Sequence, residues 1–373
     1  MTFTKISEIG EFGLIEKISA IASQTESQMN SLKKGIGDDC AILEFSDTEY
    51  QVVTTDLLIE QIHFDLLTTP MEHLGAKAIS VNVSDICAMN ALPTYAVVSI
   101  ALSEKLSVEM VESLYKGMSN AAKEYGLAIV GGDTSASTAG LVISVTIVGK
   151  VKKEKVARRS TAKPGDVVCV SGVLGGSHAG LKVLMRERKL MLDNLKEDGS
   201  VDENYRPEIA DYQDAVSRHL LPKARLDIVR LFERRGIVPT AMIDISDGLA
   251  SEIKHICKES KTGAIIEENK FPIMSHARHV ADEFEEEATT YALYGGEDYE
   301  LLFTLSPEDA EKLQETDDVK IIGEIKPEAY GVVMLDMFAR EIDLRKVTGY
   351  QHFAQPSDES EADEDVWGED DDF

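Results

Sequence analysis

Short apolar runs alternate with stretches of helical period along this chain, and no other feature limits its fold so strongly. Gln51–Thr55 is β-rich and ends at Asp56, and a helical stretch follows from about Met71 to Asn90, stopped by Pro93. Tyr95–Leu102 reads as a strand, Val108–Tyr125 as an amphipathic helix closed by Gly126, and Leu127–Val130 and Leu141–Val148 as strands. The basic stretch Lys150–Asp166 ends in Pro-Gly and reads as a domain boundary. Beyond it, Val167–Gly172 is a strand entering the turn V-L-G-G-S-H-A-G, and Ala241–Ile245 is another strand. Leu249, Ile253 and Ile256 mark one face of a helix ended by Gly263, and Tyr299–Leu305 and Val319–Ile325 are late strands. Arg186–Asp214 is charged and weakly periodic, which suggests a helix plus a surface insertion. Two alternating blocks predict α/β or α+β layers, and 373 residues suit two domains, 1–150 and 151–353.

Charge narrows the partners. The chain carries a formal −29, and ten acidic residues with no Lys or Arg follow Pro356. That segment cannot bury enough apolar surface to fold alone, so 354–373 reads as a disordered acidic tail. The remaining body, at about −19, should repel nucleic acid and anionic membranes. No run approaches the length of a membrane span, and the first residues lack the basic and apolar regions of a signal peptide. Cys40, Cys87, Cys169 and Cys257 match no metal or redox spacing and fit reduced thiols of a cytoplasmic protein.

The carboxylates fall at telling places. Asp38 and Asp39 follow a Gly-x-Gly turn in K-G-I-G-D-D-C-A-I-L. Asp56 ends V-V-T-T-D, Asp133 ends A-I-V-G-G-D, and Asp244 and Asp247 sit in A-M-I-D-I-S-D-G. Ordinary turn or N-cap chemistry accounts for each alone, most readily for Asp247 before Gly248. Asp85 shares a helical stripe with Leu74, Ala78 and Val81, so it is either buried against a cation or turned to a wet edge. Together these aspartates would repel one another unless they surround metal, and hard oxygen donors favour Mg²⁺ or Ca²⁺. The glycine pairs 131–132, 175–176 and 295–296 can offer backbone N–H groups to phosphate, although glycine pairs also serve plain turns. The chain has no P-loop and no protein-kinase signature. The residues alone point to Mg²⁺-dependent handling of phosphate.

The order of the motifs goes further. G-I-G-D-D-C-A, T-T-D-L-L-I-E-Q-I-H-F, N-V-S-D, I-V-G-G-D-T, R-R-S-T-A-K-P-G-D, I-D-I-S-D-G-L, Y-G-G-E-D-Y-E-L and G-Y-Q-H-F span residues 10 to 353. As a set they resemble the thiamine-monophosphate kinase family, within the aminoimidazole ribonucleotide synthetase-like superfamily. The resemblance implies a two-domain α/β fold, with an N-terminal domain forming a dimeric β-barrel core and a C-terminal α/β sandwich. It implies ATP as co-substrate, thiamine phosphate as acceptor, several Mg²⁺ ions and a homodimer. By position, Asp39, Thr54, Thr55, Asp56, Asp85, Asp133 and Asp244 correspond to metal ligands, with Asp247 near a further ion. Gly132, Asp133, Arg159 and Ser246 correspond to ATP contacts, and His63, Glu297 and Tyr350 to substrate contacts. No general base or covalent nucleophile is expected, because the attacking phosphate oxygen is already deprotonated near neutral pH. The 186–214 segment and the acidic tail are longer than the family leads one to expect.

Four other readings are weaker. A selenophosphate synthetase would place a Cys or selenocysteine before Cys40, and the hydrogenase-maturation enzyme would end in Cys rather than Phe373. An aminoimidazole-forming enzyme would lack the Y-G-G-E-D-Y-E-L and G-Y-Q-H-F features. A non-catalytic acidic scaffold would have no need of the full carboxylate set.

Overall fold

The computed structural model describes residues 4–26, 29–196, 201, 205–314 and 317–346. Tyr350 and the expected acidic tail lie outside the described residues.

The first half builds one mixed sheet. After helix α1 (Gly10–Glu26) come β1 (Leu32–Lys34), β2 (Ala41–Glu44) and β3 (Glu49–Ile59), then helix α2 (Met71–Ala88). Strand β4 (Leu92–Leu102), helix α3 (Val108–Tyr125), β5 (Ala128–Ala136) and β6 (Val142–Lys152) complete it. The strand order is β1-β2-β3-β6-β4-β5, with only β4 and β5 parallel, joined by the α3 crossover. The expected helices α2 and α3 are present, and α3 closes on Gly126 in the left-handed region. Pro93 is not the stop of α2. It lies in β4, beside a register irregularity that tolerates its missing N–H. Asp56 and Asp133 likewise sit inside β3 and β5 rather than at their ends.

The second half builds a seven-stranded sheet in the order β13-β12-β9-β11-β7-β10-β8. It uses β7 (Val167–Ser171), α4 (Gly176–Asp193), α5 (Gln213–Leu220), α6 (Leu226–Arg235), β8 (Ala241–Asp244), α7 (Leu249–Ser260) and β9 (Thr262–Glu267). Then follow α8 (Ser275–Glu283), α9 (Ala288–Tyr294), β10 (Leu301–Leu305), β11 (Val319–Pro327), β12 (Val332–Leu335) and β13 (Glu341–Asp343). Helix α7 ends on Lys261 in the left-handed region, two residues before the expected stop at Gly263. Gly263 serves β9 instead, since a Cβ there would come 2.5 Å from the carbonyl oxygen of Gly331.

Helix α2 joins the halves. It packs on β3, β4 and β6 on one side and approaches β8, α5 and α6 on the other, so nearly all of it is buried. That explains its apolar run and weak stripe: a helix covered on all sides needs no polar face. It crosses α3 where glycines allow the backbones to touch; a Cβ on Gly75 or Gly117 would lie 1.9 or 1.8 Å from a carbonyl oxygen of the facing helix. One apolar core runs through the first sheet, α2, α3 and α6 to Met242, Leu301 and Phe303 of the second sheet. Helix α1 reaches across too: Phe12 meets the His255 ring at 5.2 Å, and Glu16 pairs with Lys258 of α7. Neither sheet is closed, so the single chain forms two mixed open sheets rather than a barrel. Among the described residues no helix is long and apolar enough to cross a membrane.

Candidate active site

Three carboxylates meet where the two sheets face α2. Asp39 lies in the turn before β2, Asp85 in the last turn of α2, and Asp244 at the end of β8; carboxylate oxygens of the three lie within 4.8 Å of one another. Each is held by a neighbour. Arg159 donates from Nε to Asp39 Oδ2 at 3.2 Å and from Nη2 to Oδ1 at 2.6 Å. Ser84 Oγ donates to Asp244 Oδ2 at 2.6 Å, and Thr54 Oγ1 donates to Asp85. Cys40 donates its thiol to the Asp85 carbonyl at 3.5 Å. Asp38 takes the Arg159 backbone N–H at 3.2 Å on Oδ1, while its buried Oδ2 has no hydrogen-bond partner among the described residues. Asp85 is half-buried inside an acidic cluster, between the two alternatives of burial against a cation and a wet edge.

The electrostatics follow from this crowding. Burial and then the charge of Asp39 push the Asp244 carboxyl up to about 8. Burial, then Asp56, Asp244 and Asp39, hold Asp85 well above the carboxylate range. Burial and Asp39 raise Asp38 to about 6, and burial raises Asp56 to about 6. Like charges out of water favour the neutral form, so the folded chain is over-supplied with acid at this point. Among the described residues, Arg159 is the cation in hydrogen-bonding contact with the cluster.

The other expected positions divide. Asp56 faces α2, where its backbone N–H donates to Asn82 Oδ1 at 3.0 Å. Thr54 joins the cluster, whereas the Thr55 side chain points to the opposite face of the sheet, bonded to the Val145 carbonyl and to Thr146. Gly132 lies in the row Asp56, Val145, Val98, Gly132, three strands from Asp56 or roughly 14 Å. Asp133 is opposite Ser99, Ser144 and Leu57 on the uncovered face, so one chain does not bring it to the cluster. Ser246 accepts the Glu297 N–H at 2.7 Å, and Asp247 donates its N–H to Glu252 Oε1 at 3.0 Å. The N-cap of α7 falls on Gly248, not on Asp247. His63 Nδ1 accepts the Ile59 N–H at 3.1 Å, which places the ring proton on Nε2. Tyr350 lies outside the described residues.

Glu297 is reached by residues that sequence reasoning passed over. Lys77 of α2 pairs with it at 2.9 Å, and His219 Nδ1 lies 3.2 Å from it. Buried Glu252, whose carboxyl burial raises, was also missed, as was Ser84. The signal for Lys77 was present: a lysine inside an otherwise apolar helical run. The Gly175–Gly176 turn is not an open phosphate cradle. The N–H groups of Gly175 and Ser177 both go to Asp298, at 2.6 and 3.1 Å. A cavity of about 700 Å³ lies apart from the cluster, beside Arg218, Arg225 and Glu300. Arg218 already pairs with Glu300, and Arg225 with Glu300, Asp227 and Asp318.

Comparison with known proteins gives the family of the chain. The AIR synthase related protein N-terminal domain matches residues 37–151, and the corresponding C-terminal domain matches 163–336. The thiamine-monophosphate kinase of Bacillus subtilis (strain 168) is 33% identical over 351 residues, covering 92% of this chain and 99% of that protein. That of Aquifex aeolicus (strain VF5) is 38% identical over 301 residues, covering 80% and 87%. The solved complex of AaThiL with AMPPCP and TMP superposes with a TM-score of 0.78 at 34% identity, covering 94% of this chain and all of that one. Hydrogenase maturation protein HypE in complex with ATP, at 21% identity and a TM-score of 0.62, covers 89% and 96% and shares the fold.

Proposed function

The chain belongs to the thiamine-monophosphate kinase family of AIR synthase related proteins, and from that premise we propose that it transfers the γ-phosphoryl group of ATP to thiamine phosphate, giving thiamine diphosphate and ADP. The observation that carries this reading is the cluster of Asp39, Asp85 and Asp244, with oxygens within 4.8 Å, in a chain whose full-length relatives are kinases of this kind.

The donor set fits Mg²⁺. It is made of hard oxygens, and the unpartnered Asp38 Oδ2 together with the raised carboxyls of Asp85 and Asp244 supports a site for cations beyond Arg159. Asp39, Asp56, Asp85 and Asp244, with Thr54, would hold the ions, and Asp247 a further one. Bound there, Mg²⁺ neutralises the charge of two phosphate groups that must approach for attack. Arg159 keeps Asp39 in place and retains N–H donors beyond the two used there, which suits an ATP phosphate. Ser84 fixes the Asp244 rotamer, and the Ser246 carbonyl fixes the loop that carries Glu297. His63 and Glu297, with Tyr350, would bind thiamine phosphate. Candidate nucleophiles beside the cluster are shut away: Ser84 is fully buried, and burial pushes the Cys40 thiol well above its ordinary value. Transfer is therefore direct and in line, its barrier lowered by positioning and charge.

The homodimer belongs to the same reading. The uncovered face of the first sheet exposes Leu57, Tyr95 and Val97 at 48%, 54% and 41%. Edge strand β5 is exposed over Gly131–Ala136. Packing two copies on these faces would cover the apolar residues, close the sheets into the dimeric β-barrel core, and offer Gly132 and Asp133 to a partner's site. Residues 1–150 would then supply the ATP, metal and dimer functions and 151–353 complete the site. A cytoplasmic enzyme suits the four free, buried cysteines.

The test is to incubate the protein with ATP, Mg²⁺ and thiamine phosphate and separate the products. Thiamine diphosphate and ADP in equal amounts support the reading; ATP consumption without thiamine diphosphate overturns it.

A further inference from the structure

Helix α2 buries a lysine that nothing in the phosphate chemistry uses. Lys77 is 1% exposed, and its Nζ lies 2.9 Å from Glu297 Oε1 and 3.0 Å from Oε2. His219 Nδ1, from α5, is 3.2 Å from the same carboxylate and 3.1 Å from Ser177 Oγ at the start of α4. The backbone at Glu297 is left-handed, with φ of 55°, and Tyr299 follows at 50°. A residue other than glycine is held in that region only when its surroundings demand it. The Glu297 side chain keeps 26% of its surface exposed while that of Lys77 keeps 2%. The pair is thus closed on the lysine side and open on the carboxylate side.

A buried ion pair is a poor device for joining two layers, since apolar packing does the same at no desolvation cost. An ionised carboxylate held open towards a ligand is a different matter. Among the described residues, Lys77 from α2, His219 from α5, His63 from the turn after β3 and Tyr299 are the charged and titratable groups that act on it. Burial pulls the Glu297 carboxyl up, but the Lys77 charge outweighs it and keeps the carboxyl below its ordinary value; burial lowers His219 to about 3, so His219 meets Glu297 as a neutral hydrogen-bonding partner. A carboxylate has acceptor capacity beyond the lysine and histidine contacts seen here. It would repel an acceptor phosphate, so it must meet the positively charged, hydrogen-bond-donating end of the acceptor.

We propose that Lys77, supported by His219, is the positioning residue for Glu297, aiming its carboxylate at the organic-cation end of the phosphate acceptor without touching the substrate itself. This rests on the kinase reading above and assigns the pair to acceptor selection rather than to ATP.

The test is a double-mutant cycle of Lys77→Met, Glu297→Gln and the combined variant, with Lys77→Arg as the conservative change. Lys77→Met should raise KM for thiamine phosphate by about tenfold or more, the size of one lost charged hydrogen bond, with KM for ATP within about twofold. The combined variant should match Glu297→Gln alone, and Lys77→Arg should recover part of the loss. Two results overturn the proposal: a Lys77→Met protein that melts lower but keeps wild-type constants, which makes the pair structural, or a combined variant worse than Glu297→Gln by the full Lys77→Met factor, which makes Lys77 a substrate contact. Should Lys77→Met fail to fold, the combined variant, with no unpaired buried charge, carries the comparison. Calorimetric titration of the same proteins with thiamine phosphate separates the two readings. Wild type that binds it without forming thiamine diphosphate defeats the kinase reading, and the binding constants then decide the role of Lys77; wild type that does not bind it defeats both.

Discussion

Asp244→Asn separates a metal site from a structural carboxylate. Asp244 is 3% exposed and faces Asp39 and Asp85, and burial and the Asp39 charge lift its carboxyl from 3.8 to about 8. A carboxyl raised in the folded chain costs stability. The penalty is absent below the unfolded value of 3.8, grows as pH rises, and is complete above about 8. At ~1.4 kcal/mol per pH unit the full penalty is on the order of 5 kcal/mol. Because the neighbouring carboxyls share protons, a few kcal/mol of it is what Asn would recover. The Asn amide keeps an oxygen for the Ser84 hydroxyl, so the packing changes little. Metal-free Asp244→Asn should therefore melt several degrees above wild type at about pH 8, and the gain should shrink towards about pH 5. Mg²⁺ and ATP should reverse the order, since wild type gains ligand stabilisation that the variant lacks. Turnover should fall by orders of magnitude. Thermal melts at both pH values, with and without Mg-ATP, and a thiamine diphosphate assay on the same preparation decide it. A variant that melts lower at the higher pH without metal, yet turns over normally, would refute the reasoning.

Further outcomes follow from the same geometry. With chiral γ-phosphate, transfer should invert configuration; retention would reveal a phosphoenzyme and defeat direct attack. Asp298→Ala strips the acceptor from the buried N–H groups of Gly175 and Ser177 and should cost about 2–4 kcal/mol in urea unfolding; a change below about 0.5 kcal/mol would show that these groups find another partner. Truncation after Gln355 should leave melting temperature and turnover unchanged, and a large loss of either would show that the acidic tail docks on the body.

The parts legible in the sequence were those with local causes. Helices α2 and α3 and the strands β4, β6, β7, β8 and β10 follow from apolar periodicity, and Asp39, Asp85 and Asp244 stood out as carboxylates beside apolar runs. Lys77 and Glu297 are 220 positions apart, so no window shows that they meet. The Gly175–Gly176 turn looked like a phosphate cradle because nothing local reveals that Asp298, more than 120 positions on, fills it. Asp133 looked like the end of a strand because its glycine pair resembles a turn, whereas β5 continues to Ala136 as an exposed edge. Strands β9, β12 and β13 depend on pairing across the sheet, which leaves a weak pattern in the chain itself.

The central claim is that Asp39, Asp85 and Asp244 hold the divalent ions of phosphoryl transfer. Anomalous scattering from crystals grown with Mn²⁺ and a non-transferable ATP analogue tests it directly. The account predicts an anomalous peak bonded to oxygens of these carboxylates, at about 2.0–2.2 Å as for a small hard cation, and its loss in Asp244→Asn. Mn²⁺ bound to the nucleotide with no bond to any of the three, in crystals of protein that turns over with Mn²⁺, would contradict it.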